Sequence, residues 1–385
     1  MSLANALTAE WEAAKPDLFI NPRHASRAYG PREAAVLDEA GFSEAQRHIH
    51  AWDGYRPTPL HDLAGLAGEL GIAALAYKDE GGRFGLGSFK ALGGAYAVER
   101  HVEAHGPGIT VTCATDGNHG RSVAWGAERF GCRCVIYIHK HVSEGRRAAI
   151  EAFGAEVRRV DGTYDDSVRQ AAADAAREGW TVVSDTSYPG YVDIPRLVMQ
   201  GYGVMIDEAL DQIDRAPTHI FIQGGVGGLA AAACFRSWSR YGADRPRLVI
   251  VEPVLAACII ATARAGRLTP VAIGEETIMA GLSCGEASLV AMEILDGGSF
   301  AFMTVPDSAA TGCMRLLARG TGRDAPVTAG ESAVAGLAGA IAFLAEPDKA
   351  AAIGLDATSR ILVFGSEGAT DPALYEKIVG HPPRD

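Results

Sequence analysis

The sequence predicts an α/β protein whose parallel sheets are covered by helices on both faces. From about residue 73 onward, short apolar or β-branched runs alternate with longer stretches of helical periodicity. Such alternation is typical of parallel sheets, because a helix usually carries the chain to the next parallel strand. The predicted strands cover residues 73–77, 109–112, 134–138, 156–157, 181–183, 219–222, 248–251 and 361–364.

Glycine and proline indicate where the other elements begin and end. A predicted helix over residues 118–130 would end at Gly131, and another over 144–153 would end at Gly154. The first 50 residues or so have the pattern of a polar, helical lead-in. Residues 54–60 should be extended, because each of their two prolines fixes its own φ and restricts the preceding residue.

Size and composition limit the class of protein. The chain has 385 residues, of which 48% are hydrophobic and 21% charged, so a large core is expected and disorder is excluded. This length suits two domains, or one large α/β unit with an inserted lobe, although composition marks no boundary. Seven cysteines, an odd number, indicate reduced thiols rather than a disulfide scaffold.

Charge and hydropathy argue against several partners. The net charge is −12 and the basic residues form no dense run, so we expect no nucleic-acid or membrane partner. The N-terminus reaches acidic residues before any apolar stretch of signal-peptide length, which indicates a cytoplasmic protein.

The histidine and cysteine pairs lack the spacing of known zinc sites, so we expect no metal.

Lys90 is the first candidate functional residue. It is flanked by apolar and very small residues, at the point where a helix is predicted to begin. Burial and a helix N-terminus both disfavour the ammonium form, so we expect a lowered pKa and an amine able to form a Schiff base. This segment alone fits equally well a lysine that reaches solvent from an ordinary amphipathic helix.

A glycine-rich turn lies between the predicted strand 219–222 and an alanine-rich helix. It consists of Gly224, Gly225, Val226, Gly227 and Gly228. Inward-pointing amides at a helix N-terminus bind phosphate well. No lysine follows as in a Walker motif, and no acidic ribose ligand is clear, so nucleotides are not favoured. A tight turn without a ligand is the alternative.

Three polar residues share a loop at another strand-to-helix junction. Asp116, Asn118 and His119 share this loop with Gly117 and Gly120, directly after the predicted strand that begins at residue 109. Ligands of parallel α/β folds bind at such carboxyl ends, where Asn118 would donate to a ligand oxygen and Asp116 would act as a base. Helix capping explains one polar residue here but not three.

Together these motifs resemble the fold-type II pyridoxal-phosphate (PLP) enzymes related to threonine dehydratase and tryptophan synthase β. The lysine segment, the polar loop, the glycine-rich turn and Gly365–Gly368 occur in the same order and approximate spacing. A closer resemblance, from about Gly54 to Asp371, is to the diaminopropionate ammonia-lyase family. It is carried by residues 78–80, 83–86, 89–90, 92–97, 115–121, 123–125, 185–186, 190–191, 194–195, 199–202, 278–282, 284–286, 367–368 and 370–371.

The resemblance implies two parallel-sheet, three-layer domains with the cofactor cleft between them. Residues 1–94 and 206–385 would form the large PLP-binding domain, and residues 95–205 a smaller inserted α/β domain. Relatives of this fold are usually dimers, so a homodimer is implied. The partner would be a small amino-acid substrate.

The resemblance also assigns roles to individual residues. Lys90 would bind PLP as a Schiff base, and the main-chain amides of Gly224–Gly228 would bind its phosphate. Asn118 would donate a hydrogen bond to the 3′ oxygen of the cofactor, and Ser366 would lie beside the pyridine nitrogen. A hydroxyl does not keep that nitrogen protonated, so the ring would be a weaker electron sink that favours elimination over transamination.

The implied reaction is α,β-elimination of 2,3-diaminopropionate to pyruvate and two ammonia. Lys90 would remove the α-proton of the L-isomer and Asp116 that of the D-isomer. Asp116 and Asp185 would bind the β-ammonium group and shuttle its proton, and help of this kind contributes about 10²- to 10⁴-fold. Each aspartate follows a predicted strand, which independently supports a shared cleft.

Five positions depart from the pattern of the family. The family usually has Trp-Glu at Tyr188 and Pro189, aspartate at Ala257 and Ala369, and proline at Ala287. Lost carboxylates weaken the assignment of a diamino substrate. A PLP-dependent dehydratase or deaminase of serine, threonine or 3-hydroxyaspartate, or a β-replacement synthase, stays open as an alternative.

Two cysteines match positions that the family places near the entrance to the active site. By this resemblance Cys258 and Cys284 could form a disulfide. A reducing cytoplasm disfavours that bond.

Overall fold

The computed structural model describes residues 3–9, 11, 17–115 and 117–384, with only the backbone at position 165. Its strands are β1 Leu18–Ile20, β2 Leu60–Asp62, β3 Ala74–Asp79, β4 Thr110–Ala114, β5 Arg133–His139, β6 Glu156–Val160, β7 Thr181–Val182, β8 His219–Gln223, β9 Arg247–Pro253, β10 Ala301–Val305 and β11 Arg360–Gly365.

The helices surround these strands. They are α1 Leu3–Thr8, α2 Pro31–Ala34, α3 Glu39–His50, α4 Ala64–Leu70, α5 Ala91–His105, α6 Asn118–Phe130, α7 Glu144–Glu151, α8 Tyr164–Glu178, α9 Asp193–Gln212, α10 Gly228–Tyr241, α11 Cys258–Ala265, α12 Leu289–Gly298, α13 Asp307–Arg319, α14 Ala335–Leu344, α15 Pro347–Ala352 and α16 Pro372–Val379. Within the described ranges, no helix combines the length and the apolar character needed to cross a membrane.

The strands form two sheets, as the predicted fold class requires. Seven strands are arranged in the order β1-β10-β9-β8-β11-β3-β2, and four in the order β6-β5-β4-β7. All pairs are parallel except those of the edge strands β1 and β2, which are antiparallel. The four-stranded sheet lies within the segment 95–205 that we expected to form the inserted domain. The domain boundaries themselves stay a prediction.

The large sheet separates two hydrophobic cores. Ile220 and Ile222 of β8 belong to one core, whereas Phe221 between them belongs to the other. Successive side chains of a strand point to opposite faces, so both faces of this sheet are covered. This arrangement confirms the prediction of helices on both faces.

All eight predicted strands are present, and three further strands were missed. β1 and β2 have only three residues each, too few for a periodic pattern. β10 is buried along its whole length and shows no alternation, so periodicity does not distinguish it from a buried helix segment. Helix α6 begins and ends where predicted, and Gly131 follows it with the left-handed φ of 74°.

Helices α5 and α9 cross so closely that the start of α5 is buried. A Cβ atom on Gly201 of α9 would lie 1.9 Å from the carbonyl oxygen of Leu92, so only glycine permits this approach. Lys90 immediately precedes α5 and occupies its N-cap position. The crossing therefore holds the predicted catalytic lysine inside the protein rather than on its surface.

Candidate active site

The side chain of Lys90 points toward Asp185 rather than into solvent. Its Nζ atom lies 2.5 Å from Oδ2 of Asp185, and each side chain is 20% exposed. The rings of Phe89 and Tyr202 flank the ammonium group, with centroids 5.3 Å and 5.8 Å from Nζ. The alternative of a lysine extending from a surface helix is therefore wrong.

The expected lowering of the Lys90 pKa is also wrong. Burial does lower this pKa, but the charge of Asp185 and the hydrogen bond to it raise it further, above the ordinary range of lysine. For Asp185, burial raises the pKa, but the charge of Lys90 and the hydrogen bond to it outweigh burial and hold it below the usual range. The two groups therefore form an ion pair, and the amine becomes nucleophilic only after it loses a proton.

His119 connects the polar loop to this ion pair. Its Nε2 lies 2.8 Å from the carbonyl oxygen of Val183, and its Nδ1 lies 3.9 Å from Oδ2 of Asp185. Burial lowers the pKa of His119, so the neutral ring donates from Nε2 to that carbonyl. The loop after β4 and the segment after β7 therefore meet at one point.

Asp116 lies outside the described residues, but its neighbours define the loop. The hydroxyl of Thr115 accepts hydrogen bonds from the amides of Gly117 and Gly120, both at 3.1 Å. These bonds close the turn from β4 into α6, because they satisfy amides at the start of the helix.

Asn118 and Ser366 approach the lysine segment from two different elements. Nδ2 of Asn118, the first residue of α6, donates a hydrogen bond to Oε2 of Glu367 at 2.5 Å. Ser366, which is buried, directly follows β11, and its carbonyl oxygen accepts from the amide of Phe89 at 3.1 Å. Both predicted cofactor-binding side chains are therefore near the lysine segment.

The glycine-rich turn directly follows β8 and has the backbone of an anion cradle. Gly225 and Gly227 adopt φ values of 67° and 101°, which disfavour other residues. Among the described residues, no main-chain group accepts a hydrogen bond from the amides of Gly225, Val226 and Gly227. A Cβ on Gly228 would lie 3.7 Å from the carbonyl oxygen of Asp185, so the turn borders the Lys90 ion pair.

This donor set fits PLP. An amine, a set of inward amides at the N-terminus of a helix, an Asn amide and a Ser hydroxyl come from four separate segments around one site. These are the groups needed for an aldehyde, a phosphate, an oxyanion and a ring nitrogen.

Sequence reasoning missed two carboxylates of the site. It included Glu367 only within the motif Gly365–Gly368 and gave its side chain no role, although that side chain binds Asn118. Glu331 is 3% exposed, and burial, followed by the charge of Glu367, raises its pKa to about 8. A single carboxylate among the small and apolar residues 325–338 was the signal that could have identified Glu331.

The departures from the family pattern lie in different environments. Tyr188 is 52% exposed and stacks on Tyr191 with ring centroids 5.1 Å apart, whereas Ala287 is buried.

The two cysteines near the expected entrance, Cys258 and Cys284, are thiols. The sulfur of Cys258 donates to the carbonyl oxygen of Gly225 at 3.5 Å. Burial and the charge of Glu252 raise the pKa of Cys258, which keeps this thiol protonated.

Known proteins match most of this chain. The diaminopropionate ammonia-lyase of Escherichia coli strain K12 is 38% identical over 349 residues, which cover 85% of this chain and 88% of the relative. The enzyme of the same name from Salmonella typhimurium strain LT2 is 35% identical over 356 residues, covering 84% and 88%.

A family model and a solved structure agree with these relatives. The model described as pyridoxal-phosphate dependent enzyme matches residues 51–363. The crystal structure of the Escherichia coli enzyme in complex with an aminoacrylate-PLP azomethine reaction intermediate has a TM-score of 0.88 and 35% identity, covering 95% of this chain and 97% of that chain. This chain therefore belongs to the fold-type II pyridoxal-phosphate dependent enzymes and, among them, to the diaminopropionate ammonia-lyase family.

Proposed function

We propose that Lys90, Asp116 and Asp185 carry the proton transfers by which this chain eliminates ammonia from 2,3-diaminopropionate. The chain is a carbon–nitrogen lyase that uses PLP, as its family membership establishes. The assignment of individual proton-transfer steps to these residues is our proposal. The observation that carries it is the ion pair between Lys90 and Asp185 beside the glycine-rich turn.

Four segments would hold the cofactor, which when bound supplies an electron sink for the α-carbon of the substrate. Lys90 would hold its aldehyde carbon, and the amides of Gly224–Gly228 at the start of α10 would hold its phosphate. Asn118 would donate to the 3′ oxygen, and the Ser366 hydroxyl would face the ring nitrogen.

The Lys90–Asp185 pair fixes the position of one group and the charge of the other in this proposal. Nζ of Lys90 lies 2.5 Å from Oδ2 of Asp185, so the carboxylate holds the amine beside the glycine-rich turn. The lowered pKa of Asp185 keeps this carboxylate anionic, as required to bind the β-ammonium group of the substrate. One carboxylate thus positions the amine and orients the leaving group.

The two stereoisomers need bases on opposite faces of the α-carbon. Lys90 would remove the proton of the L-isomer, and Asp116, on the loop between β4 and α6, that of the D-isomer. The β-amine leaves as one ammonia. The released three-carbon enamine then hydrolyses to pyruvate and a second ammonia, which balances the reaction.

The departures at Tyr188, Pro189, Ala257 and Ala369 make substrate range the decisive test. Purified protein is supplied with D- and L-diaminopropionate, serine, threonine and 3-hydroxyaspartate while keto-acid formation is followed. We expect the diamino acids to have the highest kcat/KM. Turnover of the hydroxy amino acids alone would instead support the dehydratase alternative.

The assembly state and location of the protein are further proposals. We propose a cytoplasmic homodimer that serves amino-acid catabolism. Support for self-association comes from Val254 and Leu255, adjacent apolar residues after β9 that are 37% and 36% exposed. Light scattering at several concentrations tests the dimer, and a monomer at micromolar concentration would exclude it.

A further inference from the structure

Glu367 contacts several parts of the active site that are far apart in sequence. Its backbone forms an isolated antiparallel bridge with Ser88, two residues before Lys90. Its carbonyl oxygen accepts from the amide of Gly330 at 3.0 Å. The carboxylate accepts from Nδ2 of Asn118 at 2.5 Å and from the amide of Ser332 at 3.1 Å.

The packing around Glu367 holds this carboxylate in place. The residue is only 5% exposed, and a Cβ on Gly330 would lie 2.8 Å from its Cγ atom. Glycine at position 330 therefore provides the space that the side chain fills. Each carboxylate oxygen has its own donor, so the group has little freedom to rotate.

A carboxylate in this position determines which way the Asn118 amide points. An ionised carboxylate only accepts hydrogen bonds, so it requires the NH₂ group of Asn118 and repels the Oδ1 atom. One N–H of Nδ2 is used by Glu367, and the second stays available for a ligand. A glutamine in place of Glu367 could donate as well as accept, and it would tolerate both orientations of the amide.

Glu331, a second carboxyl group close to Glu367, does not oppose this orientation of the Asn118 amide. Glu331 is the nearby carboxyl group, and Nη2 of Arg146 lies 3.7 Å from its Oε1 atom. Burial raises the pKa of Glu331 to about 8, so near neutral pH this group is mostly protonated. Glu331 then adds little repulsion to the negative charge of Glu367.

We propose that Glu367 is a positioning residue that orients the amide of Asn118 toward the 3′ oxygen of the cofactor. This inference rests on the proposed contact between Asn118 and PLP. Glu367 touches neither substrate nor cofactor in this proposal. It acts by making the opposite orientation of the Asn118 amide unfavourable.

The experiment compares holoenzymes carrying Glu367→Gln, Asn118→Ala and both changes. Cofactor dissociation constants and the pH midpoint of the visible absorption band are measured, and neither requires turnover. We expect Glu367→Gln to weaken cofactor binding about three- to tenfold. It should raise the pH midpoint as Asn118→Ala does, because a donor to the cofactor oxyanion is lost in both. With Asn118→Ala present, Glu367→Gln should add nothing.

Thr370→Val is the matched control. The Thr370 hydroxyl lies 3.5 Å from the same Oε2 atom, so this variant disturbs Glu367 without touching its bond to Asn118. It should leave both readouts unchanged.

Each other outcome has a defined meaning. Additive effects of the two changes, or a silent Glu367→Gln variant, would overturn the positioning role alone. A silent Asn118→Ala variant would overturn the Asn118 contact and with it the inference. If Glu367→Gln does not fold by itself, Glu367→Asp supplies a second variant, because the shorter side chain keeps the charge but withdraws the carboxylate from Nδ2 of Asn118. It should weaken cofactor binding and raise the pH midpoint, and normal values of both would contradict the proposal.

Discussion

Nζ of Lys90 and Oδ2 of Asp185 are 2.5 Å apart although the two residues are separated by 95 positions in sequence. Lys90 precedes helix α5, whereas Asp185 follows strand β7 of the four-stranded sheet. The pairing keeps the lysine protonated inside the protein. It also keeps Asp185 ionised, which our proposal for binding the β-ammonium group of the substrate requires.

Replacing Lys90 with alanine should abolish covalent attachment of the cofactor. We expect Lys90→Ala to lose the yellow colour of the holoenzyme and to reduce elimination by at least about 10⁴-fold, since both a nucleophile and a base are removed. Visible absorbance and pyruvate formation measure the two losses. Lys377→Ala, an exposed change on α16, serves as the control, and a yellow, active Lys90→Ala variant would refute the assignment.

Removing the charge of Asp185 should lower the pKa of Lys90. In Asp185→Asn the burial of Lys90 remains while the attraction disappears, so the amine loses its proton at lower pH. The pH dependence of Lys90 acylation in the apoprotein should therefore shift downward. Elimination from both isomers should fall about 10²- to 10⁴-fold. An unchanged acylation profile would show that the ion pair does not control this amine.

Asp116 should matter more for one stereoisomer than for the other. We expect Asp116→Asn to reduce kcat on D-diaminopropionate about 10²-fold or more, with a smaller loss on the L-isomer. The reason is that only the D-isomer would present its α-proton to this side. Initial rates on each pure isomer provide the measurement, and equal losses would contradict the division between Asp116 and Lys90.

The glycine-rich turn should not tolerate a side chain at position 225. Gly225 has a φ of 67°, and this conformation costs an alanine about 1–2 kcal/mol. A shift of the turn should weaken cofactor binding in Gly225→Ala about tenfold, which titration of the apoprotein measures. Gly68→Ala is the matched control, because Gly68 lies in helix α4 with open space around its Cα. That variant should bind PLP normally and melt slightly higher.

Glu331 should make the protein less stable as pH rises. Its pKa is raised from 4.5 to about 8, so the folded state holds a proton that the unfolded state releases above pH 4.5. Stability contributed by this proton is lost between about pH 4.5 and 8. Glu331→Gln should remove that part of the pH dependence of Tm, while the exposed change Glu376→Gln should not. Parallel Tm curves for the wild type and Glu331→Gln would argue against a raised pKa.

Local patterns were sufficient to predict much of the fold and several members of the site. The eight predicted strands, the span of α6 and the turn at Gly225 follow from short-range regularities that need no distant contact. Lys90 was recognisable because a lone lysine among small and apolar residues is unusual. The missed strands β1 and β2 are short edge strands whose pairing partners, rather than their own residues, define them.

The sequence by itself determined which chemical groups are present and at which strand ends they occur. Tertiary structure decided how those groups behave, because electrostatic interactions depend on distance in space and not along the chain. The direction of the Lys90 pKa reversed because folding brings Asp185 against it. The partner of Asn118 likewise comes from 249 residues away, at a carboxylate whose local sequence suggested no role for its side chain.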